Sequence, residues 1–155
     1  MKVALASDHR GFQAKEHVKS YLQKAGHSVT DFGCESPASC DYPDMGLIGA
    51  ASIAKGQCDR GIFFCGTGIG MSMTANKVRG IRAALCHDEL TAELARRHND
   101  SNVLCLPADL LGDELIRRVV DVWLRTEYEA GRHDRRLQKI ADYEANGQCT
   151  LPKPQ

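Results

Sequence analysis

A strand, a glycine-rich turn and a helix follow one another between residues 60 and 77, and this stretch constrains the fold more than any other. Ile62, Phe63 and Phe64 form an unbroken apolar run, which predicts a strand buried on both faces. Glycines then occupy every second position, and we expect a helix to begin near Met71. Such a turn leaves backbone N–H groups uncovered, so it is suited to an anion or a developing oxyanion.

Cys65 is the last residue of this predicted strand, at the mouth of the turn. A thiol placed there lies near the positive end of the next helix, which favours its ionisation. A lone cysteine before a tight turn is more often a buried structural residue. The glycines beside it favour a functional interpretation, and Cys65 becomes the first candidate catalytic residue.

Three well-known glycine loops do not match this turn. A Walker A loop requires Gly-Lys-Ser/Thr, which is absent here. A dinucleotide-binding loop requires G-x-G-x-x-G, but the third glycine, Gly70, comes one residue early. A cysteine phosphatase loop requires an arginine where Met71 stands. The turn therefore predicts anion binding without any of these three functions.

Composition excludes several classes of protein. The 155 residues suit a single domain, expected at 1–145, with a flexible tail at 146–155. The 20 basic and 20 acidic residues cancel, so we expect neither nucleic acid nor a membrane as partner. The first residues predict a strand rather than a signal peptide. Seven cysteines without C-x-x-C spacing indicate a reducing cytoplasm, mostly inert thiols and no metal site.

Strands alternate with helices along the whole chain, which predicts an α/β fold with a five-stranded parallel sheet covered on both faces. The strands are expected at residues 2–7, 27–32, 62–65, 81–86 and 102–106, and the helices at residues 12–25, 44–57, 88–98 and 113–126, with one more from Met71 and a last one around Leu137 to Tyr143. Residues 33–43 are predicted to form a loop. Ligands of such sheets bind at the carboxyl ends of the strands, where Asp8, His9, Cys65 and His87 are expected.

Seven separated motifs occur in an order that resembles the type B ribose-5-phosphate isomerases, a family that includes allose- and galactose-6-phosphate isomerases. They are Ser-Asp-His-Arg-Gly-Phe, Asp-Tyr-Pro, Cys-Gly-Thr-Gly-Ile-Gly-Met-Ser, Ala-Asn-Lys, Gly-Ile-Arg-Ala-Ala, Arg-His-Asn-Asp and Gly-Arg-His-Asp-Arg-Arg. The resemblance covers Lys2 to about Tyr143. It implies a Rossmann-like αβα sandwich that acts as a homodimer, or as a tetramer of two dimers, with the site at the subunit interface.

The resemblance also implies a role for individual residues. Cys65 would move the proton between C1 and C2, and His98 would open the sugar ring. The remaining implied site residues are Thr67 in the catalytic turn; Asp8, His9, Tyr42, Gly66, Gly68, Ile69, Gly70 and Asn99 around the substrate; and Arg132 and Arg136 on the phosphate. Isomerisation through an enediol needs a base, an oxyanion site and a ring-opening acid or base, so no cofactor is expected.

Each of these residues also has an ordinary structural explanation. His98 could complement a helix dipole, Asp8 could cap a helix, and the arginines of 132–136 could form a solvated face. The segment after the fifth predicted strand departs from the family, because Asp109 stands where members often carry a phosphate-binding arginine. We expect Arg10, in the first loop of the site, to replace that guanidinium; a solvent-exposed arginine is the alternative.

Two functions thus remain open at this stage. The first is isomerisation of ribose 5-phosphate and ribulose 5-phosphate, or of a four- or six-carbon sugar phosphate. The second is a non-catalytic module that binds a nucleotide or phosphate, for which Cys65 would not be needed.

Overall fold

The computed structural model describes residues 1–147 of the chain. Its strands are β1 Lys2–Ser7, β2 Ser28–Asp31, β3 Arg60–Cys65, β4 Ala83–Leu85 and β5 Val103–Pro107. Its α-helices are α1 Phe12–Lys24, α2 Tyr42–Ala54, α3 Ile69–Ala75, α4 Glu89–Asn99, α5 Asp113–Arg125 and α6 Asp134–Asn146, and a short 3-10 turn at Gly131–His133 precedes α6. Every predicted strand and helix is present, although several ends differ. Most of the predicted tail lies outside the described residues.

The strands form one parallel sheet in the order β2-β1-β3-β5-β4. The predicted α/β class and five-stranded parallel sheet are therefore confirmed. β3 is the central strand, and it pairs with β1 on one side and β5 on the other, so that Cys65 lies opposite Pro107. Asp8, Cys65 and Asp109 follow or end neighbouring strands and are brought to the same edge of the sheet.

Helices cover both faces of the sheet. On one face Leu5, Ile62 and Leu104 pack against α1, α4 and α5, and Trp123 of α5 is fully buried there. On the other face Phe63 and Cys105 pack against α2 and α3. Alternate residues of each strand point to opposite layers, which explains why the central strands are apolar without a break.

Two predicted boundaries were wrong in ways that affect the site. Tyr42 and Pro43 were assigned to the end of a loop, but they form the first turn of α2, where proline needs no hydrogen-bond donor. The fourth strand is only three residues long. Within the described part of the chain, no helix is long and apolar enough to cross a membrane.

The prediction that the cysteines are mostly inert thiols is only partly right. Cys58, Cys86 and Cys105 are free and buried, as expected. A disulfide, however, pairs Cys34 with Cys40 in the loop between β2 and α2. Sequence spacing did not indicate this pair, because the two residues meet only when the loop folds back on itself.

Candidate active site

Cys65 lies beneath the glycine turn, with only 4% of its surface exposed. The backbone N–H of Gly68 donates to its Sγ at a distance of 3.1 Å. Gly68 has a φ of 72°, in the left-handed region that glycine adopts most readily, and a Cβ there would lie 2.5 Å from Leu85 Cδ1. The turn therefore requires this glycine, and its backbone is directed at the thiol.

The rest of the turn is closely packed by neighbouring side chains. The aromatic ring of Tyr42 lies against Gly70, where a Cβ would be 2.8 Å from Tyr42 Cε2. Thr67 and Ile69 are exposed, and Thr67 Oγ1 accepts a hydrogen bond from the Ile69 N–H at 3.4 Å. A helix leaves its first backbone N–H groups without an intrahelical partner, so the start of α3 offers donors at this surface.

Asp8 and His9 follow β1 and lie at the same edge as Cys65. Asp8 is 6% exposed, and its Oδ1 accepts a hydrogen bond from the Gly11 N–H at 2.9 Å. This hydrogen bond closes the turn before α1, whose N-cap is Gly11 and which has no side-chain cap, so Asp8 is not the helix cap that was its alternative. Nδ1 of His9 lies 3.2 Å from the carbonyl oxygen of Cys40, which ties this imidazole to the disulfide loop.

Arg10 is paired with Asp109, the residue that departs from the family pattern. Its Nε and Nη2 lie 2.7 and 2.6 Å from Asp109 Oδ2. The pair lies across Gly66, because a Cβ on that glycine would be 2.8 Å from Arg10 Nε. The guanidinium of Arg10 therefore lies beside position 109, where the family's arginine is missing, but it is paired with the Asp109 carboxylate.

His98 and Asn99 lie at the opposite edge of the sheet from Cys65. They form the last turn of α4, which runs back to the amino ends of the strands. Arg82, the residue before β4, donates from Nε to the carbonyl oxygen of Asn99 at 3.0 Å. Arg60, the first residue of β3, donates to the carbonyl oxygen of Leu124 at the end of α5 at 3.0 Å. Both helices therefore end at the amino edge.

Arg132 and His133 lie beside His98 at this second edge. The imidazole rings of His98 and His133 are stacked, with centroids 4.4 Å apart and an angle of 12° between their planes. Arg132 Nε donates to His133 Nε2 at 3.3 Å. Burial lowers the pKa of His133, and its neighbours His98, Arg132 and Arg136 lower it further, whereas Glu129 acts in the opposite direction by less.

The predicted site residues thus form two groups, which we call the cysteine side and the histidine side. The cysteine side contains Asp8, His9, Arg10, Tyr42, Cys65 and residues 66–70, and the histidine side contains His98, Asn99, Arg132 and Arg136. A strand rises about 3.3 Å per residue, so five residues of sheet separate the two sides by roughly 15 Å. One chain does not bring Cys65 and His98 together.

Glu129 also belongs to the histidine side, although the sequence did not single it out. Its Oε2 lies 3.7 Å from His98 Nε2 and 3.6 Å from His133 Nε2. His133 stood inside a recognised motif but was given no role. The spacing of four residues between Glu129 and His133 was the available signal, but the segment is not a regular α-helix.

His98, Glu129 and His133 offer ligand atoms that lie within 4.8 Å of one another, close enough to hold a metal ion. Two of these ligands are already used by cations. Arg97 donates to Glu129 Oε1 at 2.7 Å and Arg132 donates to His133 Nε2. The positive charges of Arg97 and Arg132 beside these ligands repel a metal cation. The expectation of no metal site stays a prediction.

The family model described as Ribose/Galactose Isomerase matches residues 3–140 of the chain. The ribose-5-phosphate isomerase B of Escherichia coli (strain K12) is 42% identical over 143 residues, which cover 92% of this chain and 96% of that protein. The D-erythrulose-4-phosphate isomerase of Pectobacterium atrosepticum is 39% identical over 145 residues, covering 93% of this chain and 95% of that one.

A solved structure gives the same result in three dimensions. The ribose-5-phosphate isomerase B of Mycoplasma genitalium, solved with bound ribulose-5-phosphate, superposes with a TM-score of 0.90 at 41% identity. The match covers 94% of this chain and 97% of that one. The likeness therefore extends over both sides of the site.

Proposed function

The chain belongs to the ribose/galactose isomerase family, and on that premise we propose that it interconverts ribose 5-phosphate and ribulose 5-phosphate. The broader activity, isomerisation of a phosphorylated sugar, follows from the named relatives. The five-carbon substrate is supported by the E. coli relative's name and by the ribulose-5-phosphate in the M. genitalium structure. No cofactor is needed for this chemistry, because a base and an oxyanion site suffice.

The position of Cys65 is the observation that carries the proposal. Its sulfur lies at the end of the central strand and receives a backbone N–H from the turn. In the proposed reaction the Cys65 thiolate removes the proton from C2 of the aldose and returns it to C1. The N–H groups of residues 66–70 stabilise the enediolate oxygen between these steps, with Thr67 beside them.

His98 and Asn99 serve the earlier step, in which the sugar ring opens. Ring opening moves a proton from the anomeric hydroxyl to the ring oxygen, and imidazole performs such transfers near neutral pH. Asp8, His9 and Tyr42 contact the sugar on the cysteine side. This division of labour requires the two sides to meet around one substrate.

Arg132 and Arg136 bind the phosphate, and Arg10 adds a third guanidinium. Guanidinium groups suit a phosphate dianion because they offer paired, charge-assisted donors. Arg10 has donors left after its pairing with the single oxygen of Asp109. The carboxylate of Asp109 lies in the same place, so it also opposes a dianion bound there.

A second copy of the chain brings the two sides together in a homodimer, or in a tetramer of such dimers. Roughly 15 Å of sheet separates the cysteine side from the histidine side, which leaves each chain with an incomplete site. Exposed apolar residues on α2 and α3 flank the cysteine side: Leu47, Ile48, Ile69 and Met73, whose exposed fractions are 42%, 55%, 47% and 65%. Such a patch is suited to a protein interface. A sugar phosphate is charged and stays within the cell, so we infer a cytoplasmic location.

A panel of phosphorylated aldoses and ketoses with four, five and six carbons tests the activity. We expect the highest kcat/KM for the five-carbon pair; a preference for the four-carbon sugar would give this chain the activity of the Pectobacterium relative. Turnover of none of them, with retained phosphate or nucleotide binding, would favour the non-catalytic module.

The role of Cys65 is tested by Cys65→Ala with Cys86→Ala as its control. Cys86 is a buried thiol directly after β4, and burial raises its pKa to about 11, so it is protonated at neutral pH. Cys65→Ala is expected to abolish exchange of the C2 proton with solvent and to keep substrate binding, whereas Cys86→Ala keeps both. Normal exchange in Cys65→Ala would show that another group is the base.

A further inference from the structure

The segment between α5 and α6 folds over the last turn of α4 and covers one face of His98. Within it His133 is nearly buried, with a side-chain exposure of 4%, whereas 32% of the His98 side chain is exposed. The two rings are stacked, so His133 limits the orientations of the His98 ring. His98 therefore has one covered face and one edge open to a ligand.

Glu129 is the anionic group at this stack, and it is held firmly. Its backbone N–H donates to the carbonyl oxygen of Arg97 at 3.0 Å, and its Oε1 accepts from Arg97 Nε at 2.7 Å. Arg97 is itself held by Glu93, whose Oε1 lies 2.9 Å from Nη1. The hydrogen bond from Arg97 lowers the pKa of Glu129, so the carboxylate is ionised at neutral pH.

Arg97 uses Oε1 of Glu129, which leaves Oε2 directed at the two imidazoles. Oε2 lies 3.7 Å from His98 Nε2 and 3.6 Å from His133 Nε2. The lone pair of His133 Nε2 already accepts from Arg132, so its proton is on Nδ1. His98 is then the ring that can direct an Nε2–H at the carboxylate.

Charge favours the same assignment. Two stacked imidazoles do not both become cations readily, because like charges at this distance repel. Burial and the charges of His98, Arg132 and Arg136 keep His133 neutral by lowering its pKa. Glu129 raises the pKa of His133 by less than these groups lower it, so His133 stays neutral, while Oε2 of the carboxylate also faces His98 Nε2.

We propose that Glu129 is a positioning residue for His98, fixing the tautomer and plane of its imidazole and stabilising the imidazolium formed during ring opening. This inference rests on the proposed function, since it gives His98 the ring-opening step. In that step His98 takes the proton of the anomeric hydroxyl and then donates it to the ring oxygen. Proton number is conserved, and the C–O bond of the ring breaks as the carbonyl forms. Glu129 touches neither sugar oxygen.

Glu129→Gln tests the proposal, and Glu93→Gln is its matched control. Both substitutions remove one carboxylate partner of Arg97, but only the first removes the charge that faces His98. We expect Glu129→Gln to lower kcat on a ring-forming pentose phosphate by about 10- to 100-fold, below the full contribution of an acid–base group. On an open-chain tetrose phosphate, which cannot close a ring, its kcat should equal that of Glu93→Gln.

A titration of the histidine ring protons by NMR gives a readout that does not depend on isomerisation. In Glu129→Gln the His98 resonance should titrate at a lower pH than in the unsubstituted protein, and in Glu93→Gln it should not move. Glu129→Asp keeps the negative charge and replaces the glutamine variant if that variant does not fold. Its His98 resonance should titrate between those of Glu129→Gln and the unsubstituted protein. An unmoved His98 titration, or equal losses on both sugars, would overturn the positioning role. Turnover of none of the phosphorylated sugars by the unsubstituted protein would instead overturn the proposed function.

Discussion

Mixing two inactive variants should restore activity, because the structure separates Cys65 from His98. In the proposed symmetric dimer each site combines the cysteine side of one copy with the histidine side of the other. Cys65→Ala breaks both sites of its homodimer, and so does His98→Asn. A heterodimer of the two has one site with both substitutions and one site with neither.

The expected magnitude follows from this arrangement. Equal amounts of the two chains that exchange freely give about half heterodimers, each with one intact site of two. The mixture should therefore recover about a quarter of the activity of the unsubstituted enzyme. The assay is isomerisation of ribose 5-phosphate after co-expression, or after unfolding and refolding the mixed chains.

A mixture of Cys65→Ala with Cys65→Ser is the control, since both substitutions lie on the cysteine side and no combination has an intact site. Recovery no greater than in this control would refute the reasoning. It would mean that both sides of one chain form a site, despite the roughly 15 Å of sheet between them.

Four further outcomes follow from the structure. Arg10→Ala should lower kcat/KM for a phosphorylated sugar by the equivalent of about 1.5–3 kcal/mol, the usual worth of a charged hydrogen bond. Arg118→Ala, which breaks an ion pair with Glu89 that belongs to neither group of site residues, should leave kcat/KM unchanged. Equal values for the two variants would leave Arg10 without a phosphate role. Activity should survive dialysis against a strong chelator, and a loss that added metal reverses would make the cluster of His98, Glu129 and His133 a metal site. Gly68→Ala should lower the free energy of unfolding, measured in urea, by about 2 kcal/mol or more, because the new Cβ clashes and the φ is unfavourable for alanine. Gly26→Ala is the control: its φ of 83° is equally unfavourable, but the space around it is open, so the loss should be smaller. Asp31→Asn should lower the free energy of unfolding at pH 7. Burial raises the pKa of Asp31, but hydrogen bonds from Lys15 and Lys19 outweigh burial, so the pKa is lower than in the unfolded chain. The ionised carboxylate therefore stabilises the fold above about pH 4, and the difference in unfolding free energy between the variant and the unsubstituted protein should vanish as the pH falls further.

Sequence was a good guide to β3 and the turn after it, because both depend on local rules. A strand buried on both faces needs an unbroken apolar run, which can be seen in the sequence of β3 alone. The left-handed φ of Gly68 likewise depends on the identity of a single residue. The predicted start of α4 at residue 88 is equally local, because Asp88 is the N-cap and its Oδ1 accepts from the Thr91 N–H at 2.7 Å. Such signals are contained within a few neighbouring residues.

The pairing of Arg10 with Asp109 was beyond the sequence, since 99 positions separate the two residues. The hypothesis that Arg10 replaces the missing arginine did not foresee that the Asp109 carboxylate would itself bind Arg10. The edge at which His98 lies follows from topology rather than from its motif. A helix that follows a parallel strand ends at the opposite edge of the sheet, so one chain separates His98 from Cys65, as a site at a subunit interface requires.

If His9 contacts the sugar as we propose, the disulfide between Cys34 and Cys40 couples substrate affinity to thiol chemistry. A loop closed by a disulfide between residues six positions apart has few conformations. The carbonyl oxygen of Cys40 contacts Nδ1 of His9, so this loop also restricts the His9 side chain. A histidine already fixed in place loses little entropy when a ligand binds it. Coupling of this kind is reciprocal: if the closed loop strengthens sugar binding by some factor, bound sugar makes the disulfide harder to reduce by that same factor.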